Sequence, residues 1–388
     1  MADLQKFGVV LTGGGSGGHI YPLFGVMEAL DKKVKALGGQ CEFIYIGPKD
    51  GYAPLFKIRD VEIRQIAAGK VRRYFSVENI LDIPKFFIGL VQAFWQMYLV
   101  MPDVVFSKGG TGALPVVLAA WFYRIPVAIH ESDAQPGITN LASARFAKKI
   151  FVSFARATQF FNSSRTTVTG APIRQEILLL KPSKEEAKEI LGFKREEPLT
   201  LILGGSQGSV RINEFIVANL AEIVAVTQVL HQTGVTNFDN VRSLANAALA
   251  GQSPTFLARY KPVNYFAGMG PREADNIQTA FAAADIVVMR PGGTIFEIAA
   301  FGIPAILIPI TESANDHQRK NAYEFSAAGG GAVIEENNLL PGIFLSQLKT
   351  MLTNSDLRAK MSAASAKFFI PGAAEAIADG ILAMAAGK

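Results

Sequence analysis

Residues 7–22 read FGVVLTGGGSGGHIYP, and this stretch decides the fold. Phe7–Leu11 is a short apolar run with the β-branched content of a strand; glycines then interrupt it, and a helix-length segment, Pro22–Leu37, follows. Glycine permits positive φ and close backbone approach, while a helix start offers free N–H groups to an anion. Strand, glycine turn and helix together read as an anion cradle in an α/β domain. Gly13, Gly15 and Gly18 also satisfy G-x-G-x-x-G, the dinucleotide fingerprint. A nicotinamide or flavin site would want an acid about 20 residues further on, at the end of the second strand. That strand, Phe43–Ile46, runs instead into Gly47, Pro48 and Lys49, and Asp50 comes late in the loop. A Rossmann-type redox enzyme therefore stays a lesser alternative. His19 stands where the helix start meets the expected ligand.

Outward from this stretch the first half keeps alternating. Phe43–Ile46, Val61–Ile66, Val104–Phe106, Val127–Ile129 and Ile150–Val152 read as strands, separated by helix-length segments such as Val77–Val100 (with a break expected at Pro84) and Ala113–Tyr123. Continuous apolar strands alternating with helices imply a parallel sheet covered on both faces. A second series follows, with strands at Leu199–Leu203, Thr227–His231, Ile286–Met289, Ala305–Ile308 and Ala332–Ile334. The boundary is expected near Gly170–Pro172, giving domains over residues 1–170 and 171–388, the last helix (Ala373–Ala386) packing back on the first domain. The second half repeats the cradle at Leu203–Ser209, with Ser206 as a hydroxyl donor, and Arg174 adds a cation for a phosphate. Two such turns suggest a ligand held between two domains.

Bulk properties narrow the class. A chain of 388 residues exceeds the size at which one core keeps growing, and 49% hydrophobic with 18% charged residues excludes a disordered protein. One cysteine, Cys41, allows no intrachain disulfide and fits a reducing cytoplasmic compartment. No secretory signal is expected, since the first apolar run ends in glycines. The uncharged run Phe86–Met101, 16 residues, falls short of the ~20 a spanning helix needs, so no span is expected. Lys70, Arg72, Arg73 and Lys85 flank an aromatic set including Tyr74, Phe75, Phe86, Phe87, Phe94 and Trp95, a composition that an anionic membrane surface would attract. No nucleic-acid partner is expected.

Four segments together resemble the MurG family, UDP-GlcNAc transferases that complete lipid II: Thr12–Pro22 (TGGGSGGHIYP), His130–Asn140 (HESDAQPGITN), Leu203–Ser209 (LGGSQGS) and Arg290–Ala299 (RPGGTIFEIA). Gly170–Arg174, His231–Gly234, Tyr260–Met269 and Asp316–Ala322 support them in order along nearly the whole chain. The resemblance implies an α/β chain of the GT-B fold, two Rossmann-like domains with parallel sheets facing across a cleft. It implies inverting transfer of GlcNAc to an undecaprenyl-linked muramyl-peptide acceptor, with no metal or other cofactor, by a peripheral protein on the cytoplasmic face of the bacterial membrane. The N-terminal domain would take the acceptor and face the membrane, and the C-terminal domain would bind UDP-GlcNAc. By the resemblance Ser16, Gly17 and Gly18 line the diphosphate and acceptor side, and Arg174 and Ser206 contact the donor. Ala267 meets uracil through its backbone, Glu297 takes the ribose hydroxyls, Gln318 reads the sugar, and Thr294 is a further substrate-binding residue. His19 is the candidate base, aided by Asp133. His130 and His231, which end apolar strands, are expected in structural hydrogen bonds.

The chain departs from the family pattern at Ser132-Asp133 (usually Gln-Asn), Thr111 (tyrosine), Ala171 (asparagine), Pro291 (serine) and Gly268 (aspartate). Most of these bear on the acceptor. The nearest alternatives are a related transferase acting on another lipid-linked sugar or glycolipid, and a UDP-GlcNAc epimerase.

Overall fold

The structure is a computed structural model that describes residues 6–15, 17–48, 51–69, 77–173, 175–178, 181–205, 208–266, 276–311 and 316–386, with backbone only at 77–81 and 175–176. The chain divides into two compact units: Met1–Arg174 with Ile370–Lys388, and Gln175–Phe369. The first exchange falls four residues beyond Gly170 because the segment after it stays on the first unit. A Cβ at Gly25 would stand 3.1 Å from the Ile173 carbonyl.

Unit 1 is a seven-stranded parallel sheet: β1 (Lys6–Thr12), β2 (Gln40–Gly47), β3 (Glu62–Gln65), β4 (Val104–Ser107), β5 (Val127–Glu131), β6 (Lys149–Val152) and β7 (Thr166–Val168). Its order is β3-β2-β1-β4-β5-β6-β7, the doubly wound arrangement. β4 and β5 are buried along their whole length, as apolar strands covered on both faces must be. The helices are α1 (Gly17–Ala36), α2 (Ala53–Ile58), α3 (Val77–Val100), α4 (Ala113–Phe122) and α5 (Ile138–Ser143). Helix α1 buries Ile20, Leu23, Phe24, Met27, Leu30 and Val34, one stripe at helical spacing. The chain's last helix, α16 (Ala373–Ala386), adds Ile377, Ile381 and Met384 to the same core.

Helix α3 runs through Pro84 without the expected break. Its buried side carries Gly89, Ala93 and Met97, and a Cβ at Gly89 would stand 2.0 Å from the Ala67 carbonyl, so the helix lies directly on the backbone. Gln92 Oε1 accepts from Ala67 N–H (2.6 Å) and Gln96 Oε1 from Arg64 (3.1 Å), tying the helix to the exit of β3. Its aromatic side faces outward. Over Asp82–Val100, 19 residues, α3 is long and apolar enough to cross a membrane by length and composition, which corrects the shorter estimate. The helix gains that length by reaching back past Lys85 to Asp82. A second such stretch, Ser355–Ala386, consists of two helices and packs partly inside the fold.

Unit 2 repeats the order with β10-β9-β8-β11-β12-β13, all parallel. The strands are β8 (Leu199–Leu203), β9 (Gln228–Gln232), β10 (Tyr260–Val263), β11 (Ile286–Met289), β12 (Ala305–Leu307) and β13 (Gly331–Val333). Around them pack α6 (Lys184–Ile190), α7 (Val210–Ala218), α8 (Leu220–Val226), α9 (Phe238–Ala248), α10 (Pro254–Leu257), α11 (Ile277–Ala283), α12 (Thr294–Ala300), α13 (His317–Ala327), α14 (Pro341–Thr353) and α15 (Ser355–Phe368). In sheets of this order ligands bind outside the strand carboxyl ends where the winding reverses. That point lies between β1 and β4 in unit 1 and between β8 and β11 in unit 2.

Candidate functional site

At the switch point of unit 1 the glycine turn after β1 meets the turn after β4. Tyr45 Oη donates to the Gly13 carbonyl (2.7 Å) and holds the first turn from below. His19, half-buried in the first turn of α1, lies against Gly110. A Cβ at Gly110 would come 2.3 Å from Gly14 O and 2.9 Å from His19 Nδ1, and its φ is +82°. Only glycine allows this approach. Pro22, inside α1, has no N–H to give the Gly18 carbonyl the usual helical bond.

Beside these turns lies a charge cluster that the sequence did not reveal. Lys108, 1% exposed, follows β4 directly, and its Nζ donates to Ser132 Oγ. Burial pulls the ammonium down to about 8, while Glu131 and Asp133 act to hold it up. Glu131 accepts from the N–H groups of Asp133 (2.9 Å) and Gly137 (3.1 Å) and from Asn140 Nδ2 (2.9 Å). Burial, then the Asp133 charge, pushes its carboxyl up. His130 Nε2 donates to the Gly170 carbonyl (3.1 Å), and burial followed by the Lys108 charge keeps its imidazole well below the usual range. Asp133 stands half-buried after β5, with β4 between it and the β1 turn that leads to His19.

At the switch point of unit 2 the turn after β8 needs Gly208, whose φ is +75° and whose Cβ would stand 2.0 Å from the Thr233 carbonyl. Ser209 Oγ caps α7 by accepting from Ile212 N–H (3.3 Å). Arg290, directly after β11, donates to Ser209 Oγ (2.9 Å) and to the Ile308 carbonyl beyond β12 (2.9 Å), and it pairs with Glu336. Arg211 (3.2 Å) and Thr311 (3.4 Å) bond the other Glu336 oxygen. Burial pushes the Glu336 carboxyl up, but the hydrogen bond and charge of Arg290 outweigh it and hold the group below its ordinary value. This ion pair thus joins four loops at the carboxyl edge, those after β8, β11, β12 and β13. Glu336 carries no local signal in the sequence; only the fold brings it to Arg290.

Thr294 opens α12, and Glu297 sits half-buried in its first turn. Gln318 lies in the first turn of α13, where its Oε1 accepts from Ile310 N–H (3.1 Å). The structure therefore brings Gly17, Gly18 and His19 to one edge of unit 1, and Thr294, Glu297 and Gln318 to the carboxyl-end loops of unit 2. Ser16, Arg174, Ser206 and Ala267 lie outside the described residues, as do Lys70, Arg72 and Arg73. His231 is buried between Tyr260 Oη (3.0 Å) and Asn213 Oδ1 (3.1 Å), a structural place.

Two doubly wound parallel sheets, each with a glycine turn at its switch point, are the two domains of the GT-B class. The chain matches the models of the glycosyltransferase family 28 N-terminal domain over residues 9–152 and C-terminal domain over residues 199–377. The UDP-N-acetylglucosamine--N-acetylmuramyl-(pentapeptide) pyrophosphoryl-undecaprenol N-acetylglucosamine transferase 3 of Bacillus thuringiensis (strain Al Hakam) is 33% identical over 90% of this chain and 92% of its own. The crystal structure of Acinetobacter baumannii MurG is 25% identical with a TM-score of 0.72, covering 97% of this chain and 99% of its own. A UDP-GlcNAc 2-epimerase from Neisseria meningitidis, 13% identical with a TM-score of 0.66 over 97% of this chain and 100% of its own, shares the fold. The chain belongs to glycosyltransferase family 28 and, within it, to the MurG family.

Proposed function

We propose that this chain transfers GlcNAc from UDP-GlcNAc to the muramyl 4-hydroxyl of an undecaprenyl-diphosphate-linked muramyl-peptide, with inversion. The observation that carries this reading is the MurG relationship, which runs over nine-tenths of the chain and includes both glycine turns. In the reaction the acceptor oxygen attacks the anomeric carbon of GlcNAc as its bond to the UDP β-phosphate breaks. The bonding pair leaves with UDP, and the hydroxyl proton passes to His19. Histidine suits a base near neutral pH, and the helix start behind Ser16, Gly17 and Gly18 suits a diphosphate. Unit 2 takes the donor: Ser206 and Thr294 on the phosphates, Ala267 on the base and Glu297 on the ribose diol, with Arg174 adding its charge. Gln318 reads the sugar, its side chain oriented by the bond its Oε1 accepts from Ile310 N–H.

The protein works as a peripheral protein at the cytoplasmic membrane face. Supporting this, α3 and α4 expose Phe87, Val91 (70%), Trp95 (60%), Tyr98, Trp121 and Phe122 (61%), an apolar patch of the kind that marks an interaction surface. Exposed Lys85 and Arg124 accompany it. Packing of α3 on α4, and of Gly89 on the Ala67 backbone, favours docking over spanning.

The test is transfer of radiolabel from UDP-GlcNAc to lipid I, compared with other lipid-linked sugars. Label moving only to a different acceptor, or UDP-GlcNAc converted with no acceptor present, overturns the reading. His19→Ala should lower turnover by roughly 100-fold or more, the usual range for a lost general base. Unchanged turnover removes His19 from that role.

A further inference from the structure

The cluster around Lys108 has no part in the chemistry above, yet it is costly to build. A buried ammonium persists only when it is paired and hydrogen-bonded. Lys108 is sealed from solvent, its hydrogen bond goes to Ser132, and Glu131 and Asp133 are the carboxylates facing it. The two carboxylates are not equivalent. Glu131 is 4% exposed, and both its oxygens are occupied by three N–H donors that close the 131–140 loop. Asp133 remains half-exposed at the outer end of the same loop. Ser132 and Asp133 are also the positions where the sequence parts from the family pattern.

We propose that Lys108 is a positioning residue for acceptor recognition: through its hydrogen bond to Ser132 it holds the Ser132–Asp133 turn, and with it the Asp133 carboxylate, in place for the acceptor. This deepens the transferase reading and rests on it. A carboxylate only accepts hydrogen bonds, whereas an amide both donates and accepts. The acceptor group that binds at Asp133 is therefore an O–H or N–H donor, such as a sugar hydroxyl or an acylamino N–H. Among the described residues three titratable groups face Lys108: Glu131 and Asp133, which stabilise its charge, and His130, which burial and then that charge keep neutral. Gly109 and Gly110 continue from Lys108 to the ring of His19, so the same backbone turn joins the two groups. Because burial brings the ammonium to about 8, the arrangement weakens as pH rises through that value.

Steady-state kinetics on the full chain test this, with lipid I and UDP-GlcNAc varied separately between pH 6.5 and 9.5. Lys108→Met should raise the acceptor KM by about tenfold, the equivalent of one lost hydrogen bond to a charged group. The donor KM should stay within about twofold, and the alkaline decline of acceptor kcat/KM near pH 8 should disappear. Adding Asp133→Asn to Lys108→Met should restore part of the acceptor KM, because an amide needs no counter-charge. Ser132→Ala removes the hydrogen bond without burying a new group and should raise the acceptor KM even if Lys108→Met does not fold. An unchanged acceptor KM in Ser132→Ala, an effect of Lys108→Met confined to the donor, or independent effects that simply multiply would overturn the proposal. Absence of transfer by the unaltered chain would instead overturn the transferase reading.

Discussion

Gly110 fixes the place of His19 by having no side chain. Gly110→Ala would force a φ of +82° on a residue with a Cβ and push that atom to 2.9 Å from His19 Nδ1. Misplacing a base by about 1 Å costs roughly 100-fold in rate, so with His19 in its proposed role turnover should fall by about that factor while circular dichroism stays unchanged. His231 acts on stability instead. Burial lowers its pKa to about 3, so the folded state stays neutral where the unfolded chain takes up a proton. Its contribution is complete above about pH 6.5 and is lost progressively as pH falls toward 3. By pH 5 the loss is on the order of 2 kcal/mol, visible as a lower urea midpoint that His231→Gln should make less pH-dependent.

Among the elements, the carboxyl edge of unit 2 depends on one ion pair rather than on any single loop. Glu336 is buried and the Arg290 side chain is only 10% exposed, and their partners lie beyond β8 and β12. Glu336→Ala leaves a largely buried guanidinium without its carboxylate, a change that typically costs about 3–5 kcal/mol. Thermal unfolding should shift accordingly, and the donor KM should rise, because Ser209 and the β11–α12 turn lose their common tie. Replacing both partners, by Arg290→Met with Glu336→Leu, should recover much of the stability but not the donor KM.

For the whole molecule, the exposed apolar face of α3 and α4 is the proposed contact with the membrane. Val91→Glu with Trp95→Ser changes two residues that are more than half exposed, so the melting temperature should hold. Binding to anionic vesicles should weaken by about tenfold or more, given the apolar area withdrawn from the bilayer. Added salt should weaken the remaining attachment further. Equal vesicle binding by the double variant would remove this face from the membrane contact.

Much of this architecture was legible in the chain itself. Apolar runs such as Val104–Phe106 and Leu199–Leu203, the glycines at 13–18 and 204–208, and the spacing between them specified parallel α/β units and the strand ends that carry the candidate residues. Strands β7 and β10 were not legible: β7 is a three-residue strand exposed at the sheet edge, and β10 carries Pro262, which a strand tolerates only at an edge. Pro84 misled in the other direction, since α3 simply continues past it. The Lys108–Ser132–Asp133 cluster and the Arg290–Glu336 pair were beyond local reading as well. Burial alternation and turn chemistry are set by the backbone's own periods over a few residues. The charge pairings depend on which strands the crossovers bring side by side, across 24 residues for Lys108 and Ser132 and 46 for Arg290 and Glu336. Sequence determined the sheets and where the glycine turns stand. Only the tertiary fold decided which buried charges hold those turns in place.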